Sequence, residues 1–562
     1  MNMEEDLIEA YALENAINHS GKATQGPVIN ALFNEGLKKQ DIKKTIPLII
    51  KTLKKVNSLS LEEQSKRFEK LKNKIKKREK RIGLPELPNI SDKMTFRFAP
   101  FPSGPLHIGN TRQLILNDEY AKKYNGKLLL VIDDTIGSEK KPVNPEAYDL
   151  IKEGIDWLGA KYDKKIIYKS DRLKIYYDYA EELLKKGYMY VCDCAQEEMQ
   201  KLRKKGVECP CRNLPLEKHL ERWKKMFDAK PGEFTVRLKT NMSHPDPAFR
   251  DRVMFRISDR IHPKTKNKYR VWPLLEFSWA IDDHLLGITH IIRGIDLVTE
   301  TNVEKFIWDI FKWEHPTTIH TGFFTIEGIK ISKSKGAQEV GSGQYIGWND
   351  PRLWSLQSLK DRGILPEAIR EFCLNMGLTR SNSVIAIEVL YAINKKYLEK
   401  APRYFFIPEP TKIHIKGTPK LKAIIPLHPS EKIGERTYET EQEFYIPQED
   451  FDLIEDKNYR LMHLLNFKSE EFLKTKPRDF TFISEAPDKE LSVKMIQWLS
   501  VNAENVKVKV RMPDNSIIEG LGEPELLKLK QGEQIQFERF GFVKLHSSNK
   551  KKKEMEFWFS HR

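Results

Sequence analysis

From Met94 onward, short uninterrupted apolar runs alternate with amphipathic stretches, and few folds can accommodate that alternation. "TFRFAP", "KLLLVIDD" and "ITHIIRG" read as strand candidates of buried type. "NPEAYDLIKEGIDWLG" and "RLKIYYDYAEELLKKG" between them have helical spacing. Strand, helix, strand in this order predicts a parallel, doubly wound α/β sheet of the nucleotide-binding type. The first strand runs into a Pro/Ser/Gly/Pro turn, "RFAPFPSGPLHIGN" (Arg97 to Asn110), which delivers His107 and Gly109 onto the first turn of a helix. Free N–H groups and the positive end of a helix dipole suit that place to phosphate.

At 562 residues the chain is too long for one core, so several domains are expected. Residues 1–92 lack strand-like alternation and predict a helical region ending in the basic stretch Lys66 to Arg81, with ten Lys/Arg against two Glu. That stretch either tracks a phosphate backbone or is a solvated helix face. "IGLPELPNIS" marks a linker. Residues 93–190 and 271–340 form the two halves of the α/β domain, interrupted by a polar, cysteine-bearing insertion over 191–270. Residues 341–401 are predicted helical, and 402–562 carry strand-like runs such as "TKIHIKG" and "IQFERFGFVKLH" that suggest β-barrels.

Lys plus Arg is 96 against 80 Asp plus Glu, a formal net charge of +16 that favours a polyanionic partner, nucleic acid first. No apolar window is long enough to span a membrane, and the acidic start "MNMEEDLIEAYALENA" is unlike a signal peptide, so a cytoplasmic protein without membrane association is expected. Four of five cysteines, Cys192, Cys194, Cys209 and Cys211, crowd into one short segment, which points to a zinc site or to reduced thiols rather than a disulfide framework. The one-residue spacing within each pair is tighter than in most zinc fingers.

Far down the chain, Lys330 to Ser334 reads "KISKS", a basic, hydroxyl-rich loop suited to neutralising a leaving pyrophosphate. "HIGN" and "KISKS", in this order and spacing, resemble the two signatures of the class I aminoacyl-tRNA synthetases. "RFAPFPSGPLHIG", "IDDT", "IDDHLLGITHIIRG" and "GWNDPRLWSLQSLKDRGILPEAIREF" resemble the glutamyl-tRNA synthetases, and "ALENAINHSGKATQGPVINALF" resembles their archaeal branch.

That resemblance implies a multidomain α/β protein: a class I Rossmann-type catalytic domain with an inserted acceptor-stem-binding domain, an N-terminal helical domain and a C-terminal β-barrel anticodon-binding region. It implies activation of glutamate by ATP with Mg2+ and transfer to tRNA(Glu), with tRNA(Gln) as a further substrate left open, and a monomer. Catalytic roles then fall on His107, Asn110, Lys330 and Lys333, and ATP contacts on Pro100, Gly104, His107, Gly109, Asn110, Lys330, Ser332 and Lys333. Arg97 corresponds to the arginine that pairs with the substrate side-chain carboxylate, Asp133 to the group that holds the α-amino group, and Arg293 to a second pocket arginine. Some relatives carry zinc in the insertion. Leu275 stands where the family has a tyrosine, Phe101 where a small polar residue is frequent, Asn110 where the signature ends in His, and Val131 two residues before Asp133 where Arg is usual. A glutaminyl-tRNA synthetase, a weakly catalytic tRNA-binding paralogue and an unrelated nucleotidyltransferase are the alternatives.

Overall fold

The computed structural model describes residues 5–18, 21–35, 37, 41–75, 83–135, 142–327, 333–455, 457–470, 479–487 and 494–562. The chain divides into two units, Met1–Gly83 and Leu84–Arg562. The first is helical, with helices Glu5–Asn18, Gln25–Asn34, Ile42–Asn57 and Leu61–Leu71. They bury Ile8, Leu13, Val28, Leu32, Ile49, Leu53 and Val56 against one another. The last helix starts on a capping box between Ser60 and Glu63, which satisfies two free N–H groups, and gives way to a single tight turn at Lys72–Lys74. Much of the described part of the basic stretch is internally neutralised. Arg67 pairs with Glu9, Lys66 with Glu62, Lys72 with Glu69 and Lys74 with Asp6. Residues 76–81 of that stretch lie outside the described residues.

The second unit contains a five-stranded sheet with strands β1 (Thr95–Phe98), β2 (Lys127–Ile132), β3 (Ile167–Tyr168), β4 (His290–Gly294) and β5 (Thr317–Thr321). Their order across the sheet is β3-β2-β1-β4-β5, and every pair is parallel. The period-2 geometry of a strand explains why β2, covered on both faces, is apolar from Leu128 to Ile132. In β2, Leu128, Leu130 and Ile132 enter one core, while Leu129 and Val131 enter the other. Helices α1 (Ile108–Lys123) and α2 (Ala147–Trp157) contribute Leu114, Leu116, Ile151 and Ile155 to the first core. Helices α3 (Leu173–Lys185), α4 (Leu275–Leu285) and α5 (Val298–Phe311) contribute Tyr176, Leu183, Phe277, Ile281 and Trp308 to the second. The sheet is therefore doubly wound, and the carboxyl ends of β1, β2 and β4 lie next to one another.

The insertion is an antiparallel four-stranded sheet, Met189–Cys192, Thr235–Leu238, Val253–Ile257 and Val271–Pro273. It starts and ends a few residues outside the predicted 191–270, because its buried residues Met189, Val236, Phe255 and Trp272 belong to the same core as α3 and α4. Two seven-stranded sheets and a two-stranded hairpin make up the C-terminal region. Alternation along Tyr404–Ile407 joins the sheets: Tyr404 and Phe406 enter one core, Phe405 and Ile407 the other.

Beside that joint, buried Glu523 accepts from Phe405 N at 2.6 Å, Arg436 Nη2 at 2.9 Å and Tyr438 Oη at 2.9 Å. Burial pushes the Glu523 carboxyl up, and Arg436 opposes the shift. Removing one partner of such a pair leaves the other charge buried and unpaired. Glu523→Ala is therefore expected to cost about 3–5 kcal/mol. Denaturant unfolding of the C-terminal region checks this, and a change under about 1 kcal/mol, the range of an exposed pair, would contradict it.

Candidate active site

The Pro/Ser/Gly/Pro turn sits at the carboxyl end of β1. Asp133 N, at the end of β2, donates to Pro100 O at 3.1 Å, and Asn144 N donates to Pro102 O at 2.8 Å, which fix the turn from two sides. His107 is the extended residue that caps α1. The Asn110 side chain reaches back to accept from His107 N at 3.3 Å, so the residue in place of the usual final histidine closes a capping box. A Cβ at Gly109 would come within 2.9 Å of the His107 ring, so a side chain there would require the imidazole to move. The segment from Trp348 to Leu356 docks against the same turn: Ile108 N donates to Trp354 O at 3.1 Å, and Leu356 N donates to Leu106 O at 2.9 Å. Trp348 covers Gly104, where a Cβ would lie 3.1 Å from the indole. His107, Gly109, Asn110, Gly104 and Pro100 are thus brought together on one strand-to-helix turn.

Next to this turn the strand ends and two helices bury a set of charges. The Arg97 guanidinium forks onto Asp283, with Nη2 at 2.8 Å from Oδ2 and Nε on Oδ1. Arg293 forks onto Glu304, at 2.9 and 2.5 Å, and also donates to Thr301 Oγ1. Lys169 Nζ donates to Ser278 Oγ at 2.9 Å and lies 3.4 Å from Asp133 Oδ1. Around them, Asp282 accepts from Arg172 Nε at 2.8 Å and Tyr176 Oη at 2.6 Å. Burial alone depresses the Arg97 guanidinium, and Asp283 outweighs it, so the net shift is upward. Burial lowers Lys169 against the pull of Asp133, and raises Glu304 and Asp282 against their arginines.

Arg97, Arg293 and Lys169, the partner of Asp133, all lie against the Trp279 ring, so Arg97, Asp133 and Arg293 belong to one cluster. The remaining members, Lys169, Asp283, Glu304 and Trp279, were not singled out from the sequence. Asp283 had a signal in the run "IDDHLL"; Trp279 and Glu304 read only as further residues of amphipathic helices, and Lys169 as one lysine after a short strand. Leu275 lines a pocket with Arg203, Ala248, Arg252, Val253 and Glu276, and its carbonyl accepts from Ser278 Oγ at 3.0 Å. Lys330 and Ser332 lie outside the described residues, and the helix Lys333–Gly341 is described at Lys333 for its backbone alone.

In the insertion, Cys192, Cys194, Cys209 and Cys211 converge so that all four Sγ atoms lie within 4.8 Å of one another. Cys192 and Cys209 are 3.9 Å apart and Cys194 and Cys211 3.6 Å.

The model of class I tRNA synthetases (E and Q), catalytic domain, matches residues 93–400, and two anticodon-binding domain models of that family match 401–483 and 495–546. A glutamate–tRNA ligase of Methanocaldococcus jannaschii is 42% identical over 547 residues, covering 96% of this chain and 97% of the relative. The chain belongs to the class I tRNA synthetases of the E and Q family. A glutamate–tRNA ligase of Pyrococcus furiosus is also 42% identical, over 560 residues, 96% of this chain and 97% of its own. Among solved structures, a glutamate tRNA ligase from Elizabethkingia meningosepticum matches with a TM-score of 0.40 at 21% identity, over 54% of this chain and 70% of that one. For a class I synthetase of this kind, the capped turn, the charged cluster and the four cysteines all fall within the catalytic match. Among the described residues no helix is long and apolar enough to cross a membrane.

Proposed function

We propose that this class I synthetase is a glutamate–tRNA ligase. One observation carries the reading: a buried cluster of Arg97 on β1, Lys169 just after β3 and Arg293 on β4, adjoining the capped turn of α1. Such a cluster offers fixed donors to a dicarboxylate beside a site for triphosphate. In the first step an oxygen of the glutamate α-carboxylate attacks the α-phosphorus of ATP, the bond to the β-phosphate oxygen breaks, and pyrophosphate leaves. In the second, a ribose hydroxyl of the tRNA's terminal adenosine attacks the acyl carbonyl, gives up its proton, and AMP departs. Neither step needs a covalent enzyme intermediate, so the protein supplies position and charge.

In this reading His107, Gly109 and Asn110 face the ATP phosphates, with Pro100 and Gly104 shaping the turn and Mg2+ accompanying the nucleotide. Lys330, Ser332 and Lys333 meet the departing pyrophosphate. Arg97 and Arg293 hold the substrate side-chain carboxylate, and Asp133 its ammonium. The strand-rich 402–562 region engages the anticodon side of tRNA(Glu), and the insertion its acceptor stem. Pyrophosphate exchange into ATP, measured in the presence of tRNA(Glu), tests the reading. Exchange that depends on glutamate supports it, and exchange that depends instead on glutamine or another amino acid would overturn it.

The cysteines fit zinc. Four sulfurs at 2.3 Å from a tetrahedral ion are about 3.8 Å apart, close to the 3.6 and 3.9 Å of the two pairs. Bound there by Cys192, Cys194, Cys209 and Cys211, the ion would be closed to water and would serve to hold the insertion together. Protein purified without chelator is expected to contain one zinc per chain, and Cys209→Ser to lose it. That loss should impair transfer to tRNA more than adenylate formation. Absence of stoichiometric zinc by elemental analysis would exclude the site.

A further inference from the structure

Trp279 lies on α4, one turn before Asp283, and is 6% exposed. Its indole is the common neighbour of the three buried cations. Arg97 Cζ is 4.8 Å from the ring centroid, Lys169 Nζ 4.8 Å and Arg293 Cζ 5.3 Å. Each cation already has a carboxylate, Asp283, Asp133 and Glu304 respectively. Charge within the cluster is thereby balanced, and the face of the ring steadies cations that would otherwise repel one another. Two donors are left over. Trp279 Nε1 and Arg293 Nε are both buried, and neither has a hydrogen-bond partner among the described residues. Buried N–H groups in folded proteins are almost always paired. What sets these two apart from other buried donors without a partner is their place in the cation cluster beside the capped turn, where an acceptor arriving with the ligand would pair both.

We infer that Trp279 is a specificity-determining residue whose indole N–H donates to the side-chain carboxylate of the bound amino acid. This rests on the reading of the chain as a glutamate–tRNA ligase. The chemistry of the donors sets the preference. An indole N–H can only donate, and so can a guanidinium or an ammonium. A carboxylate presents acceptors to all of them. A carboxamide of the same shape turns an NH2 group towards at least one donor and leaves both unpaired, the kind of mismatch by which a hydrogen-bonding site rejects a near-isostere. Trp279 thus selects glutamate over glutamine from a position where sequence periodicity shows only another core aromatic.

Trp279→Phe isolates the donor, because it keeps an aromatic face for the cations and removes the N–H. The expected result is a KM for glutamate raised roughly tenfold to a hundredfold, the range for one hydrogen bond to a charged group. The preference for glutamate over glutamine in kcat/KM should shrink by a similar factor, with KM for ATP unchanged. A Phe variant that keeps both the wild-type KM for glutamate and the wild-type discrimination overturns the inference. So does an equal rise in KM for ATP and glutamate, which marks a packing defect. The wild-type enzyme supplies a measurement that does not depend on this variant folding. In protein labelled with indole-15N tryptophan, one of the ten side-chain resonances should move on adding glutamate and not on adding glutamine, and that resonance should be missing from Trp279→Tyr. No glutamate-dependent shift overturns the inference. A wild-type enzyme that uses glutamine and not glutamate removes the ligase reading itself, whereas one that uses glutamate normally with an indifferent Trp279 removes only the role given to this residue.

Discussion

Arg97→Gln is expected to abolish efficient use of glutamate and to destabilise the protein at the same time. The two effects have separate causes. Arg97 and Asp283 are both buried, and their fork holds the end of β1 to α4 across 186 residues of sequence. Removing the arginine strands Asp283, at a cost of about 3–5 kcal/mol. The loss of activity comes from the Nη1 end of the guanidinium, which makes no hydrogen bond among the described residues and is the part left to meet a substrate carboxylate. The double variant Arg97→Gln/Asp283→Asn separates them, because it removes the stranded charge. Its unfolding midpoint should recover most of the loss, while kcat/KM for glutamate stays down by roughly a hundredfold or more, the cost of an unpaired charged group. Recovery of glutamate use together with stability would make Arg97 a structural residue and would remove it from the pocket.

Lys333→Ala carries the second large effect. If its ammonium meets the negative charge that develops as pyrophosphate departs, it acts mainly in the transition state. Losing one such donor costs about 3–4 kcal/mol, which is a fall of roughly 10²–10³ in the rate of adenylate formation with little change in KM for ATP. Pyrophosphate-exchange kinetics over a range of ATP concentrations read both quantities. A variant whose KM rises while its kcat holds would assign Lys333 to ground-state binding, and one with normal values of both would take the loop out of the mechanism.

The sheet was most legible in β2, because a strand covered on both faces by apolar cores favours apolar residues at successive positions. Leu128 to Ile132 alternate between two cores and leave no polar position to hide the pattern. The turn at His107 was legible for a related reason: a glycine beside a capping residue at the end of such a strand is a local constraint, and here the His107 ring lies over Gly109. What stayed hidden is what tertiary structure brings together. Lys169 meets Asp133 and Ser278 from the start of a helix 36 residues past one and 109 residues before the other, and nothing in "YKSDR" distinguishes it from a surface lysine. Glu304 is buried under Arg293, yet in sequence it is one more acid on an amphipathic helix. In the N-terminal unit, Arg67 and Lys74 find Glu9 and Asp6 from a helix about sixty residues away, pairings that a count of charges does not reveal. Composition gives the sum of charges, and packing decides which of them remain free. Leu275, in the place of a pocket tyrosine, lines a pocket beside Arg252 and Glu276, while its carbonyl accepts from Ser278 Oγ at 3.0 Å, the same hydroxyl that Lys169 meets.

The most direct measurement is aminoacylation by the purified full-length chain, crossing glutamate and glutamine with tRNA(Glu) and tRNA(Gln) and identifying the amino acid released from the charged tRNA. Glutamate on tRNA(Glu), dependent on ATP and Mg2+, is expected, with no glutamine on either tRNA. Glutamine recovered from the tRNA, or no acylation of tRNA(Glu) under conditions where the protein is folded, would contradict it.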